Sequence, residues 1–287
     1  MEKPVDMFLR ADDLDLPFCL CWANHNWSRT WTGGDKDILM DMRYGDEIEW
    51  RKHFDYLLPY FRDKRYIQID GKPIFVIYLP QDVSCFREMK ELYSNLAIEN
   101  GLNGITFIAQ YCIFPDNSMY NMMDYFIQYE PNFSLTASSL SIKNLIKSVK
   151  TSPFLFYDMV KRSVQVFIRE ITHRKLCQVV TYDYDAAWDY ILKRPVPNKK
   201  TLAGAFARCD VSPRRQKRAV IYKGDTPDKF CTYMAKLIKK VRNEYKQDYI
   251  FLSAWNEWGE GMYIEPDEKH QYGYLKALHN ALVNSDE

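Results

Sequence analysis

The stretch YIQIDGKPIFVIYLPQDVSCFREMKELYSNLAIENGLNGITFIAQY, residues 66–111, carries the pattern that decides the fold. It opens on a local hairpin, Tyr66 to Tyr78, in which Asp70-Gly71 is the dipeptide of a tight turn between two apolar runs. The run Ile74 to Leu79 is continuously apolar rather than alternating, as expected for a strand covered on both faces in a parallel sheet. A helical pattern follows over Ser84 to Glu99, and a second continuous apolar run extends from Ile105 to Tyr111. Strand, helix, strand in this order is the repeat of a parallel α/β fold.

The same rhythm extends to both sides. Apolar runs at Phe18 to Ala23, Tyr125 to Tyr129, Leu202 to Ala207 and Tyr249 to Ala254 bring the expected core strands to six. Between them, Asp46 to Arg62 places Trp50, Phe54, Leu57, Leu58 and Phe61 at helical spacing. Thr226-Pro227 supplies an N-cap and first position for a helix over Thr226 to Tyr245, and Asp267 to Val283 reads as a last helix. Residues 131–180 interrupt the pattern as a variable basic insertion. Between Lys143 and Lys175 lie eight lysines or arginines against two acids, interleaved with aromatic residues. Such a segment is either a solvated helical face or a peripheral contact, through 143–175, with an anionic membrane.

With 287 residues the chain is long enough for one large α/β domain, and we expect 1–287 to be a single domain with 131–180 inserted in it. Lysine plus arginine, 39, nearly cancels aspartate plus glutamate, 38, so no global field argues for a nucleic-acid partner. Seven cysteines without CxxC pairs read as reduced thiols of a cytoplasmic protein. The N-terminus has neither the charge nor the apolar run of a signal peptide, and no stretch is long and apolar enough to span a bilayer. Phosphate-cradling, dinucleotide-binding, nucleophile-elbow and zinc-helix motifs are absent, and neither a metal nor another cofactor is expected.

Chemistry concentrates in FLSAWNEWGEGMYIEPD, residues 251–267. An apolar run delivers Glu257 and Glu260 between Trp255 and Trp258 and beside Asn256. Indole faces stack on pyranose rings, amides hold hydroxyls, and two carboxyls can divide acid and base roles. Gly259 and Gly261 allow sharp turns that aim both carboxylates at one pocket. A polar turn after a strand is the plainer reading of the same residues. A second cluster, PFCLCWANHNWSRTWTGG at 17–34, ends a strand in Trp22, Asn24, His25, Asn26 and Trp27. In parallel α/β folds, residues just beyond strand C-termini line the ligand site. Gln110, Tyr129, Asp210 and Arg214 stand at the ends of other strands and join the candidate glycan-binding set; Arg214 and Arg215 are also candidate phosphate contacts. Asp183-Tyr184-Asp185 resembles a metal motif but reads better as acids at a helix N-terminus.

The segments PFCLCWANHNW, YDYDAAWDYIL, DVSPRR and WNEWGEGMYIEPD resemble the WbsX-type proteins, a group related to glycoside hydrolase family 99, from about Leu16 to the C-terminus. The resemblance implies a (β/α)8 TIM-barrel-like fold, and a role in bacterial surface-polysaccharide (O-antigen or capsule) metabolism, where such proteins are commonly called glycosyltransferases. Family 99 proper contains retaining endo-α-mannosidases. By this likeness Glu257 is the base that deprotonates the sugar 2-hydroxyl, which attacks the anomeric carbon to give an epoxide-like intermediate. Glu260 is the acid that protonates the leaving oxygen. This chain has His25 where the family pattern often has Glu. Family members also carry two strands ahead of the Phe18 to Ala23 run, so the resemblance implies an incomplete barrel, truncated at its N-terminus. The expected partner is a glycan or oligosaccharide. The competing expectation is a non-catalytic glycan-binding module or a decayed fragment, since tryptophans and amides bind sugar without turning it over.

Overall fold

The computed structural model describes residues 3–29, 34–111, 117–139, 179–216 and 219–285. The basic segment 143–175 lies outside them. The architecture is α/β with parallel strands, and each of the six apolar runs contains a strand: Leu20–Trp22, Lys72–Ile77, Thr106–Tyr111, Tyr125–Gln128, Thr201–Phe206 and Ile250–Ser253. The chain forms two compact units.

The first unit comprises Met1–Ser28, Ile38–Gln110 and Pro115–Phe126. Leu20–Trp22 pairs in parallel with Lys72–Ile77, with Leu20 opposite Phe75, and Lys72–Ile77 pairs in parallel with Thr106–Tyr111. The hairpin turns at Asp70 and Gly71, both at positive φ (52° and 70°), so that Gln68–Ile69 returns antiparallel onto Lys72–Ile77. Glu47–Phe61 starts where Asp46 accepts the amides of Ile48 and Glu49, satisfying donors the first turn leaves unpaired. This helix and Phe86–Glu99 enclose a buried aromatic core of Phe54, Phe61, Phe75, Tyr93 and Phe107. Lys3–Arg10 buries none of its own residues. It is held at its C-terminal end by Arg65, whose guanidinium donates to the carbonyls of Phe8, Leu9, Ala11 and Leu14 and pairs with Asp63 at 2.7 Å. A cation there satisfies carbonyls that the helix end leaves free.

The second unit comprises Arg29–Asp37, Tyr111–Phe114 and Ile127–Glu287. Thr201–Phe206 and Ile250–Ser253 pair in parallel, Ala203 opposite Ile250. At Gly204 the chain passes so close to the strand ending at Gln128 that an added Cβ would lie 1.7 Å from the Gln128 carbonyl oxygen. Val180–Asp183 and Val220–Lys223 form a further parallel pair that the apolar runs did not reveal. Asp183 caps Tyr184–Lys193 by accepting the amide of Ala186, as its place ahead of the helical pattern implied. That helix presents Trp188, fully buried, in a stack between Phe206 and Tyr233. Thr226 caps Pro227–Lys240 as expected. The last helix is shorter than the sequence pattern suggested and runs Gly273–Val283. Asp267 accepts the His270 amide and pairs with Arg208, which holds residues 267–271 in a turn before the helix starts.

A buried polar network lies beneath this sheet. Glu130, with no exposed surface, pairs with Arg194 at 2.5 Å. Arg194 also donates to Gln128 Oε1 at 2.6 Å and to Ser134 Oγ at 3.1 Å, and Tyr245 donates to the same Gln128 oxygen. Gln128 and Glu130, polar residues at a strand end, thus face a buried guanidinium.

Candidate active site

Two loops of the second unit build the site. The first follows Ile250–Ser253. Its base is closed by the Trp255 carbonyl, which accepts the amides of Ile264 and Glu265, and by an antiparallel ribbon of Asn256–Glu257 against Met262–Tyr263. Trp258–Glu260 makes a single 3-10 turn between the two arms of the ribbon. Gly261 ends that turn at φ 57°, and a Cβ there would meet the Asp210 backbone nitrogen and oxygen at 2.9 and 2.8 Å. Only glycine fits both the left-handed backbone and the space. The close approach lets the Asp210 amide donate to the Glu260 carbonyl at 2.9 Å, tying the first loop to the second.

The second loop follows Thr201–Phe206. Asp210 Oδ1 accepts the Ser212 amide, which starts the short turn Ser212–Arg215 and directs Arg214 toward the first loop. Arg214 Nη1 donates to Glu260 Oε1 at 2.7 Å and Nη2 to Glu257 Oε1 at 3.0 Å. One guanidinium therefore holds both candidate catalytic carboxylates. These bonds and the guanidinium's own dimensions limit the separation of the two oxygens to about 8 Å at most, the scale on which paired carboxyls flank one glycosidic bond. The Glu260 side chain is 22% exposed and that of Glu257 42%, so Glu257 is the more open to solvent. Gly259, between them, leaves the room: a Cβ there would sit 3.1 Å from Glu257 Oε1 and 3.2 Å from Arg214 Nη2.

The two indoles of the first loop are held differently. Trp258 stacks on Tyr263 with ring centroids 3.7 Å apart and donates Nε1 to Glu265 Oε2 at 2.6 Å. On Tyr263 also lies the Arg208 guanidinium, 4.6 Å from the ring centroid, itself paired with Asp267 at 2.7 Å. Burial pushes the Asp267 carboxyl upward, but the His270 amide, Arg208 and Tyr263 outweigh it and hold it below the ordinary range. Trp258 is thus fixed on one face and half exposed, whereas Trp255 is 55% exposed and has no such support among the described residues. Asn256 is exposed on the ribbon. Tyr263, Glu265 and Arg208 were not singled out in the sequence reading; two of them lie in the quoted MYIEPD segment, and their value depends on a ring stack that spacing does not reveal.

The remaining candidates lie elsewhere in the chain. In the first unit, Trp22 packs against His53 and Tyr44. Asn24 is buried, and its amide is committed to the backbone, donating to the Leu79 carbonyl at 2.7 Å and accepting the Leu79 amide at 2.8 Å. His25 lies against Tyr78 and keeps Nδ1 buried without a hydrogen-bond partner among the described residues. Asn26 Oδ1 accepts the Met42 amide, Trp27 is half-buried on a short strand, and Gln110 faces the Cys21 thiol. In the second unit Tyr129 is half-buried where its amide meets the Tyr111 carbonyl.

The profile of a family described as Glycosyltransferase WbsX matches residues 1–278. Two relatives from strains of Xanthomonas campestris pv. campestris, both described as the uncharacterized protein WxcX, are 24% and 23% identical to this chain over 290 residues. The match takes in 99% of this chain but 37% of each relative's length. Among solved structures, a family 99 endo-α-mannosidase from Bacteroides thetaiotaomicron superposes with a TM-score of 0.44 at 16% identity, over 85% of this chain and 63% of its own. A glycoside hydrolase-like protein superposes with a TM-score of 0.46 at 14% identity, over 82% and 60%. Among the described residues no helix is long and apolar enough to cross a membrane.

Proposed function

This chain belongs to the WbsX glycosyltransferase family, and we propose that it is a glycan-processing enzyme whose reacting groups are Glu257 and Glu260. The observation that carries this reading is the convergence of both motif carboxylates on one guanidinium, in a loop that also carries two half-exposed indoles. A pair within reach of one glycosidic bond, next to aromatic faces for pyranose rings, is what glycosyl cleavage or transfer requires.

In the proposed sequence Glu257 accepts the proton of the sugar 2-hydroxyl as its oxygen attacks the anomeric carbon. The bond to the leaving oxygen breaks, and that oxygen takes its proton from Glu260. Water or an acceptor hydroxyl then gives its proton to Glu260 and opens the epoxide-like ring, and Glu257 returns its proton to the 2-oxygen. Configuration is retained after two displacements. The substrate class we assign is bacterial surface polysaccharide of the O-antigen or capsule type, acting at the cytoplasmic side of the cell.

Purified O-polysaccharides and capsules, incubated with the protein and read by mass spectrometry for released or extended oligosaccharides, test the reading. Glu257→Gln and Glu260→Gln should each lower turnover about 100-fold or more while glycan binding persists. Full turnover in both variants sinks the assignment. One observation favours a second reading, that of a glycan-binding module: carboxyl groups bridged by Arg214 accept sugar hydroxyl bonds equally well without any proton transfer. Unchanged binding with no turnover on any polysaccharide tried supports that alternative.

A further inference from the structure

We propose that Arg214 is a positioning residue that ties Glu257 and Glu260 into one hydrogen-bonded trio and so sets the spacing of the carboxyl pair. The inference rests on the glycan-processing reading above. By sequence position Arg214 is equally suited to hold a substrate phosphate. In the fold its two terminal nitrogens are already engaged, at 2.7 Å on Glu260 and 3.0 Å on Glu257. A planar guanidinium with one nitrogen on each of two carboxylates fixes their separation and their orientation together, which an ammonium cannot do.

The surroundings are built for this arrangement. Asp210 starts the turn carrying Arg214 and is itself bonded, through its amide, to the Glu260 carbonyl. Gly261 makes that bond sterically possible, and Gly259 leaves the gap through which the guanidinium reaches Glu257. Two glycines and one arginine thus set the geometry of a pair that lies on a short, half-buried turn.

Carboxyl labelling tests the tie without a known substrate. Wild type, R214A, R214K and G259A are treated with a water-soluble carbodiimide and glycine ethyl ester, and coupling at Glu257 and Glu260 is quantified by peptide mass spectrometry. Near-UV circular dichroism confirms that each variant is folded. Coupling at both glutamates should rise about fivefold or more in R214A and in G259A, and at only one in R214K, whose ammonium reaches one carboxylate. Equal coupling in folded wild type and R214A overturns the tie. Turnover retained by Glu257→Gln and Glu260→Gln defeats the catalytic reading alone, because the labelling pattern does not depend on it.

Discussion

Arg194→Met tests how the buried network supports the sheet. The substitution keeps most of the side chain's volume but removes the only cation paired with Glu130 among the described residues, leaving that carboxylate fully buried. It also removes donors to Gln128 Oε1 and Ser134 Oγ. Taking away one partner of a buried ion pair typically costs about 3–5 kcal/mol, because the desolvation of the other charge is no longer offset. For a chain of this size that corresponds to a fall in Tm on the order of 10 °C. Arg194→Met combined with Glu130→Gln should recover most of the loss. Neither buried charge then remains, and Gln128 still accepts the Tyr245 hydroxyl. Urea denaturation followed by tryptophan emission, with hydrogen exchange of peptides spanning 125–135 and 184–194, measures both effects. A cost below about 1 kcal/mol for the single variant, or a double variant as unstable as the single, would refute the network as a buried ion-paired support.

Gly204→Ala should give no cooperatively folded protein, since its Cβ would lie 1.7 Å from the Gln128 backbone oxygen; a near-UV spectrum and a melt like those of the wild type would contradict this close approach. His53, accepting or donating at 2.6 Å to the Tyr93 hydroxyl, is pushed by burial from 6.5 down to about 4. The unfolded chain therefore takes up its proton first as pH falls. The stability tied to neutral His53 is present above 6.5 and lost between 6.5 and about 4, amounting to at most about 3 kcal/mol. Melts at stepped pH should show that slope, and His53→Gln should lose it; an identical slope in the variant places its origin elsewhere. Trp255→Ala should leave Tm unchanged, because the indole is 55% exposed, and weaken glycan binding about tenfold. Binding equal to wild type in a calorimetric titration would remove Trp255 from the glycan surface.

Local physics made much of the fold legible. The six continuous apolar runs each hold a strand, because a strand covered on both faces has no polar side to alternate with. Asp183 and Thr226 cap helices where their sequence context put them, since a cap bonds to amides about three residues away. The pair Val180–Asp183 and Val220–Lys223 escaped notice: each strand has only four residues, ends in a charged or polar one, and finds its partner about forty positions away. The late start of the last helix at Gly273 has a similar cause, because Asp267 answers to Arg208, 59 residues earlier.

At the candidate site, composition and spacing were enough to bring forward Glu257, Glu260 and their indoles, since all lie within residues 255–260 of a single loop. That Arg214 joins the two glutamates is decided only in three dimensions: it stands 43 and 46 residues from them, and its bonds exist because two strands run side by side and end in facing loops. The support behind Trp258 likewise depends on Arg208 arriving from another strand end onto Tyr263. The sequence by itself determined the elements and the residue types at their ends, because helix caps, strand periodicity and tight turns are short-range. Which charges meet, and therefore what the carboxylate pair can do, followed from long-range packing that no local pattern encodes.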